Sequence, residues 1–435
     1  MMILLIILGV PVAAITMYFL VKRMDWLVYG YLAAVPVLPA MPLGSIEISV
    51  LDFLTVPALV HLMYRLFGNG FRLQGYLAVG MSFYALAAVV SFAGFTVQQG
   101  FFSAAIMMRM ARLIEITLPV ILVSLHPGMI DRRKAVTAFL IGGGLSAMIG
   151  IAMFLSNVSW GGAQRFISLG ELVYRAAGTH GDTGSFGNLM GLNALVALWV
   201  ILYGRKVFKA AKSRSLYWMA AVSGFFSLAA LVLSLSRGGM VLLAVGMVVL
   251  LFPLLRRPGR LLKLAVIGAA LVLIVTGVLW TRIENELVVK AIDALTGRVT
   301  IFGEISSRFD AVTSYRTHNW AEAWVIFKGS PLAWPFGLGY KALILHYDMP
   351  PDNNFMQALF EMGLLGAAAI LMLTIFGYQL SFRCFQHDRS ASYIGLALWT
   401  GLVSNMFTAD VLTYWHNIPA LFILLVVICG RKEKN

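Results

Sequence analysis

The chain has 435 residues, of which 60% are hydrophobic and 12% are charged. A soluble globular domain carries about 25% charged residues, so this composition argues against a soluble protein. The formal net charge of +14 would suit a nucleic-acid-binding protein. The basic residues instead gather in short connectors such as 132–134 and 205–214, which is the positive-inside pattern of a membrane protein and argues against nucleic acid as a partner.

Apolar runs long enough to cross a bilayer recur along the whole chain. The hydrocarbon phase offers no hydrogen-bond partners, so each run should form an α-helix. We predict an all-α polytopic membrane protein, a bundle of about 12–13 transmembrane helices forming a single transmembrane domain over 1–435. The predicted spans are 2–21, 26–43, 46–66, 73–96, 101–125, 135–156, 186–202, 216–235, 238–255, 264–281, 356–379, 391–409 and 413–430.

Prolines at positions 36, 39 and 42 leave open whether one of the two spans between 26 and 66 is broken or re-entrant. Thirteen spans place the N-terminus outside and the basic connectors in the cytoplasm. Two outer loops then remain, a smaller extracytoplasmic loop at 157–185 and a large extracytoplasmic loop at 282–355. A loop as long as the second is usually functional or disordered, and its aromatic residues Trp320, Trp324 and Phe327, spaced to share one helical face, argue against disorder.

One short motif, Ser236-Arg237-Gly238-Gly239, lies between two spans at the outer face. An arginine at a membrane boundary is a functional candidate, since guanidinium can hold a phosphate with two donors and the flanking glycines let a bulky anion approach. The alternative is a snorkelling arginine at a tight hairpin, and the motif alone does not decide between the two.

The long loop supplies Arg316, Trp320, Tyr340 and the pair Asp352-Asn353, which leads into the next span. Asp352 has two interpretations. It is either the N-cap of that helix or a carboxylate that takes a proton from a sugar hydroxyl at the membrane surface. The loop aromatics are candidates both for stacking on sugar rings and for anchoring at the membrane interface.

The smaller loop contributes Arg175, a second candidate phosphate ligand, although a solvated loop charge is the commoner role. Arg109, Arg112 and Glu115 lie inside a span, where we expect internal ion pairing. The histidines and acids of the outer side lack metal-ligand spacing, so we expect no catalytic metal.

Taken together and in order, these motifs resemble the O-antigen ligase and polymerase superfamily. The resemblance runs from Arg175 to Gly366 and rests on the 175–188 segment, the 236–239 hairpin, Arg316-x-x-x-Trp320, Ser330-Pro331-Leu332, Gly337-x-Gly339 and Asp352-Asn353 followed by Met356, Leu359, Glu361, Gly363 and Gly366.

The resemblance implies a bacterial enzyme of the cytoplasmic (inner) membrane with its active site on the extracytoplasmic side. Such an enzyme is a metal-independent glycosyltransferase that moves glycan from undecaprenyl pyrophosphate to a hydroxyl of an acceptor glycan, with no cofactor. It further implies that Arg175, Arg237 and Arg316 hold the pyrophosphate and that Asp352 is the catalytic base or orienting group. Asn353 and Tyr340, in the matching motifs, are further candidate substrate-binding residues. A glycan chain-length regulator is an open candidate partner.

Three functions remain from the sequence. Ligases that cap lipid A core commonly carry His where this chain has Asp352, which favours a polymerase of O-antigen or exopolysaccharide type. The alternative is a ligase that moves finished glycan to lipid A core, wall glycan or protein. A transporter or flippase is less favoured, because we find no internal symmetry and the candidate groups cluster at one face.

Overall fold

The computed structural model describes residues 23–38, 41–43, 46–48, 50–69, 75–99, 104–125, 129–156, 165–168, 171–208, 214–254, 316–414 and 417–430. The predicted spans 2–21 and 264–281, and the loop stretches 157–164 and 282–315, lie outside these residues.

The described part of the chain contains fourteen α-helices, four short strands and three single-turn 3₁₀ helices, Gly178–His180, Phe252–Leu254 and Val411–Thr413. The helices are α1 Met24–Ala34, α2 Val50–Asn69, α3 Tyr76–Gln99, α4 Ala104–Leu125, α5 Arg132–Leu155, α6 Thr183–Val207, α7 Arg214–Ser234, α8 Arg237–Leu251, α9 Arg316–Gly329, α10 Ala333–Phe336, α11 Ala342–Leu345, α12 Asn354–Cys384, α13 Arg389–Met406 and α14 Ile418–Cys429. The strands β1 Met41–Leu43 and β2 Ile46–Ile48 form one antiparallel hairpin, and β3 Arg165–Ser168 and β4 Glu171–Tyr174 form another.

Six of these helices are long and apolar enough to cross a membrane. They are Tyr76–Val97, Arg132–Leu155, Thr183–Gly204, Arg214–Ser234, Arg237–Leu254 and Asn354–Cys384. Each coincides with a predicted span, which confirms an all-α polytopic membrane protein. Helices also occupy most of the predicted spans 46–66, 101–125, 391–409 and 413–430, although residues 46–48 form strand β2. Side chains exposed on one face of α12, namely Leu364, Leu371 and Ile375, are apolar, as a lipid-facing surface requires.

The predicted span 26–43 is wrong. Helix α1 ends at Ala34 after 11 residues, and Met41–Leu43 is a strand of the first hairpin. Pro36 accounts for this end, since a proline biases the residue before it away from helical geometry and cannot donate a backbone hydrogen bond.

Helix α6 is the central helix of the bundle and packs against α5, α7, α8 and α13. The amide of Asn193 donates to the hydroxyls of Ser223 and Ser227, both at 2.7 Å, and Ser223 donates to the Leu140 carbonyl at 2.8 Å. A Cβ added to Gly143 would lie 2.4 Å from the Asn193 side chain. Small and polar residues therefore let three helices approach closely, as is common in membrane interiors.

Helix α12 is interrupted at Gly363, whose φ of 65° and ψ of −156° are not helical. We call residues 335–341 the inserted segment, because they pack into this interruption. The backbone nitrogen of Leu338 donates to the Phe360 carbonyl at 2.8 Å, and that of Gly339 donates to the Glu361 carbonyl at 3.0 Å. The interruption lies about 14 Å from the start of α12 at 1.5 Å per residue.

Glycines make this insertion sterically feasible. Gly337, Gly339 and Gly363 have φ values of 79°, 108° and 65°, which favour glycine. A Cβ on Gly337 would lie 2.1 Å from the Glu361 carbonyl group, and one on Gly363 would lie 2.6 Å from the Gly337 nitrogen. The two backbones are thus in direct contact, with no room for a side chain.

The two ends of the bundle are distinguished by the helices that begin and end there. Helices α6, α8 and α12 begin where α7 and α13 end, and we call this the motif end. At the opposite end Arg132 pairs with Asp388 at 2.7 Å, linking the start of α5 to the start of α13. Other basic residues of that opposite end are Arg133, Lys134, Lys206, Arg214, Arg383 and Arg389.

The predicted ion pairing inside α4 is confirmed. Arg112 lies 2.8 Å from Glu115, and it also reaches Asp52 of α2 at 2.9 Å. Arg109 is exposed on the same helix.

Candidate functional site at the motif end

Arg175 lies along the C-terminal end of α7. Its Nε donates to the Ser234 carbonyl at 2.9 Å and its Nη2 donates to the Leu235 carbonyl at 3.0 Å, while the next backbone nitrogen, of Ala176, donates to Leu233. The last carbonyls of a helix have no partner within it, so the guanidinium satisfies them as a hydrogen-bond donor and is also attracted by the negative end of the helix dipole. These bonds hold the guanidinium of Arg175 at the turn that leads into Arg237.

Ser236-Arg237-Gly238-Gly239 forms the start of α8. Leu235 turns the chain with a φ of 49°, and Ser236 is the N-cap, its hydroxyl accepting from the Gly239 nitrogen at 3.2 Å. Arg237 is the first residue of the helix and its side chain is exposed. Arg175 is therefore held at the turn that precedes Arg237, and the N-terminus of α8 adds further attraction for an anion through the helix dipole.

The two glycines of this motif bring α8 against α6 and α13. A Cβ on Gly239 would lie 2.4 Å from the Gly187 carbonyl oxygen, and one on Gly238 would lie 2.4 Å from Oδ1 of Asn405. The Asn405 amide in turn donates to the side-chain oxygen of Asn188. The start of α8 is thus held rigidly against the end of α13.

Asn353, and not Asp352, is the N-cap of α12. The Asn353 side-chain oxygen accepts from the backbone nitrogens of Phe355 at 2.9 Å and Met356 at 3.1 Å, and its amide donates to the Phe407 carbonyl at 3.1 Å. Asp352 precedes the cap in left-handed geometry with φ 44° and is partly exposed. The structural interpretation of Asp352 as a cap is therefore wrong, and its interpretation as a base stays a prediction. Asn353 has a structural role, and its contact with substrate also stays a prediction.

Arg316 is the first residue of α9, and this helix docks on the segment before Asp352. The indole nitrogen of Trp320 donates to the Pro351 carbonyl at 2.6 Å, and the Asn319 amide donates to the Pro350 carbonyl at 3.3 Å. The predicted aromatic face also forms: Trp324 and Phe327 stack with ring centroids 5.8 Å apart, and both contact Trp334. The structure thus brings the helix of Arg316 next to the chain that carries Asp352.

Tyr340 belongs to the inserted segment and is 1% exposed. Its predicted contact with substrate stays a prediction, and such a contact requires that the inserted segment move.

A buried polar network lies beside Tyr340 and was not predicted from the sequence. Lys341 forms an ion pair with Asp410, and the Asn354 amide donates to the other Asp410 oxygen at 2.8 Å. The Gln357 amide donates to Glu361 at 2.7 Å. Asp410 and Glu361 were visible as acids at the ends of spans, but Lys341 stood in a loop, and only the insertion brings its side chain inside.

The motifs meet at the end of α13. Within the described ranges, residues 405–410 contact Gly238 through Asn405, Asn353 through the Phe407 carbonyl and Asn354 through Asp410. The structure therefore brings Arg175, Arg237 and Asp352 to one end of the bundle, with Arg316 on the adjoining helix. In the part of the chain that the structure describes, no group of three or more His, Cys, Asp or Glu side chains is arranged to hold a metal ion.

His180 ties the smaller loop to the end of α1. Its Nε2 lies 3.0 Å from the Pro36 carbonyl, which only accepts, so Nε2 carries the proton and Nδ1 accepts from the Ser185 hydroxyl at 3.2 Å. Burial lowers the pKa of His180 to about 4. The ring is neutral and structural at pH 7.

The fold and these contacts define a multi-pass helical membrane protein with an arginine-rich polar site where its helices end. Residues 222–371 match the family model described as O-antigen ligase, a family associated with glycan ligase and polymerase activity. The match confirms the predicted relationship to the O-antigen ligase and polymerase superfamily over about a third of the chain. It includes Arg237, Arg316, Tyr340, Asp352 and Asn353, whereas Arg175 lies before it. A search of curated proteins finds no match.

Proposed function

We propose that this protein is a bacterial cell-surface polysaccharide polymerase of O-antigen or exopolysaccharide type. It transfers glycan from undecaprenyl pyrophosphate to a hydroxyl of an acceptor glycan, and it works at the outer face of the cytoplasmic membrane. The observation that carries the proposal is that Arg175, Arg237 and Asp352 lie at the same end of the bundle, and the family match includes Arg237 and Asp352.

The arginines bind the donor. Pyrophosphate carries several negative charges, and the Arg237 side chain is exposed at a helix N-terminus that itself favours anions. Arg175 adds a second positive charge to the same turn, and we assign the third to Arg316, the first residue of α9. As the bond between the anomeric carbon and the pyrophosphate oxygen breaks, the electron pair passes to that oxygen, and the guanidinium groups stabilise the developing charge in place of a metal.

Asp352 acts on the acceptor. The acceptor oxygen forms the new bond to the anomeric carbon, and the Asp352 carboxylate takes its proton. The partly exposed position of Asp352, one residue before a capped helix, suits this role, since the Asn353 cap fixes the backbone beside it. The proton then passes to solvent.

The test uses purified protein in nanodiscs with an undecaprenyl-pyrophosphate-linked oligosaccharide as donor, EDTA present and ATP absent. Wild-type protein should produce a ladder of longer lipid-linked products. Arg237→Ala and Asp352→Asn should each lower the rate at least tenfold. Absence of a ladder with the cognate donor would overturn the polymerase assignment.

Matched controls separate chemistry from folding. Asp348 is an exposed aspartate in the same loop, and its φ of 54° is also left-handed, so Asp348→Asn should leave the ladder unchanged. Arg383→Ala removes an arginine at the opposite end of the bundle and should do the same. If both control variants lose as much activity as Arg237→Ala and Asp352→Asn, the loss in the site variants does not come from a specific role of Arg237 or Asp352.

A ligase is the alternative outcome of the same assay. A ligase would leave the donor unextended and transfer it once to lipid A core, wall glycan or protein, so these acceptors are added in separate reactions. One product of fixed size would assign a ligase.

A further inference from the structure

The ion pair of Lys341 and Asp410 joins the inserted segment to the end of α13. Lys341 is the last residue of the inserted segment, has a φ of 61° and is 7% exposed. Its amine contacts one Asp410 oxygen, and the two side chains are 9% and 17% exposed, so the pair is largely buried. Burying two charges is costly, and a buried ion pair contributes little net stability, although removing one partner leaves an unpaired charge. Its presence here calls for a role other than stability.

A chain of hydrogen bonds leads from this pair to the start of α12. Asn354 donates to Asp410 at 2.8 Å, and its side-chain oxygen accepts from the backbone nitrogens of Val411 at 2.8 Å and Leu412 at 3.3 Å. Asn354 is the first residue of α12, directly after the Asn353 cap and two residues after Asp352. The position of Asp352 therefore depends on how Asn354 is held by residues 410–412.

The hydrogen bonds of this network continue from Asn354 along α12 and return to the inserted segment at the interruption of the helix. The Asn354 amide also reaches Gln357 at 3.3 Å, and Gln357 donates to Glu361 at 2.7 Å. The Glu361 carbonyl accepts from the backbone nitrogen of Gly339, two residues before Lys341. The other Glu361 carboxylate oxygen is buried without a hydrogen-bond partner. Loss of any one link therefore leaves further buried polar groups unpaired, which makes the arrangement all-or-none.

Residues at the end of α13 also contact the turn that carries Arg237, the residue proposed to bind the donor pyrophosphate. Asn405 touches Gly238, next to Arg237, and the Phe407 carbonyl binds the Asn353 cap. Asp410 is five residues beyond Asn405. One short stretch of chain thus contacts both the arginine turn and the segment that carries the acceptor group.

We propose that Lys341 and Asp410 are a positioning pair, which locks the inserted segment and the start of α12 against the end of α13 and so sets Asp352 relative to Arg237. The proposal rests on the proposed function. Neither residue touches the reacting atoms. They act by raising the fraction of molecules in which Asp352 is correctly placed relative to Arg237.

The experiment combines turnover with amide hydrogen exchange on the full chain in nanodiscs. Lys341→Met and Asp410→Asn should each lower kcat at least tenfold with KM changed less than threefold. Both should also speed exchange in residues 338–342 and 353–358, and leave exchange in α6 unchanged. The charge-swapped double variant, Lys341→Asp with Asp410→Lys, should regain at least tenfold in kcat over the poorer single variant.

Controls and a milder variant keep the test decisive. Lys328→Met and Asp348→Asn remove the same charges from exposed positions in the same loop and should change neither readout. If a single variant does not fold, Asn354→Ser removes the link to Asp410 while leaving both charges, and should speed exchange in residues 353–358. Unchanged exchange in the two segments, or no rescue by the swap, would overturn the pairing. If the variants show faster exchange but the wild-type protein makes no ladder, the structural role of the pair stands and the proposed function is refuted.

Discussion

The interruption of α12 makes a sharp prediction at Gly363. Gly363→Ala places a Cβ 2.6 Å from the Gly337 nitrogen and from the Pro335 carbonyl carbon, closer than real Cβ contacts permit. The backbone at φ 65° and ψ −156° is also a conformation that only glycine adopts easily, and it costs a side chain about 1–3 kcal/mol. Overpacking against fixed backbone adds about 1–3 kcal/mol. The expected loss of stability is therefore about 2–6 kcal/mol.

The assay is reversible unfolding in mixed detergent micelles, followed by reaction of a thiol dye with the buried cysteines Cys384 and Cys429. Gly329→Ala is the matched control, since a Cβ there meets nothing within 4 Å. Because alanine favours a continuous helix, we also expect Gly363→Ala to expel the inserted segment and abolish turnover. A stability within about 0.5 kcal/mol of the Gly329→Ala protein would refute the insertion, since ordinary surface changes have effects of that size.

Three further predictions concern single side chains. Arg237→Lys keeps the charge but loses two-point contact with phosphate, so turnover should fall at least tenfold at an unchanged melting temperature; wild-type turnover would contradict the donor role. Trp320→Phe removes the donor to the Pro351 carbonyl and should cost about 1 kcal/mol and speed amide exchange at Asp352; unchanged exchange there would show that α9 does not hold this segment. His180 should make the free energy of unfolding depend on pH, because its pKa is lowered to about 4 in the folded state. This free energy should be constant above pH 6.5, fall by about 3 kcal/mol as the pH drops from 6.5 to 4, and be constant again below pH 4. Melting curves of His180→Gln should lack this slope, those of the exposed His318→Gln should keep it, and a slope that survives in His180→Gln would assign it to another group.

The membrane spans were predictable because each is an apolar run whose length alone implies a crossing. The end of α1 was harder, since residues 26–43 are apolar throughout and only Pro36 marks the true boundary. The pair Asp352-Asn353 offers two good capping residues in a row, and only the structure shows that the Asn353 side chain accepts the capping hydrogen bonds while Asp352 has a φ of 44°. Local composition therefore located the helix start to within two residues but did not identify its cap.

The buried network could not be predicted from the sequence. Gly363 lies in a run that is apolar enough for an unbroken helix, and glycine is common in membrane helices. Lys341 and Asp410 are 69 residues apart in sequence, so nothing local links them. Their pairing follows from the insertion of one backbone into another, which is a long-range event.

The interruption of α12 also bears on how the protein is made. In a continuous helix the carbonyls of Phe360 and Glu361 would accept from residues 364 and 365, whereas here they accept from Leu338 and Gly339. A segment entering the bilayer needs its own hydrogen bonds satisfied at once. We therefore expect α12 to enter as an unbroken helix and to exchange these two bonds only after the preceding loop docks, so that biogenesis has a late maturation step in which the loop opens the helix that follows it.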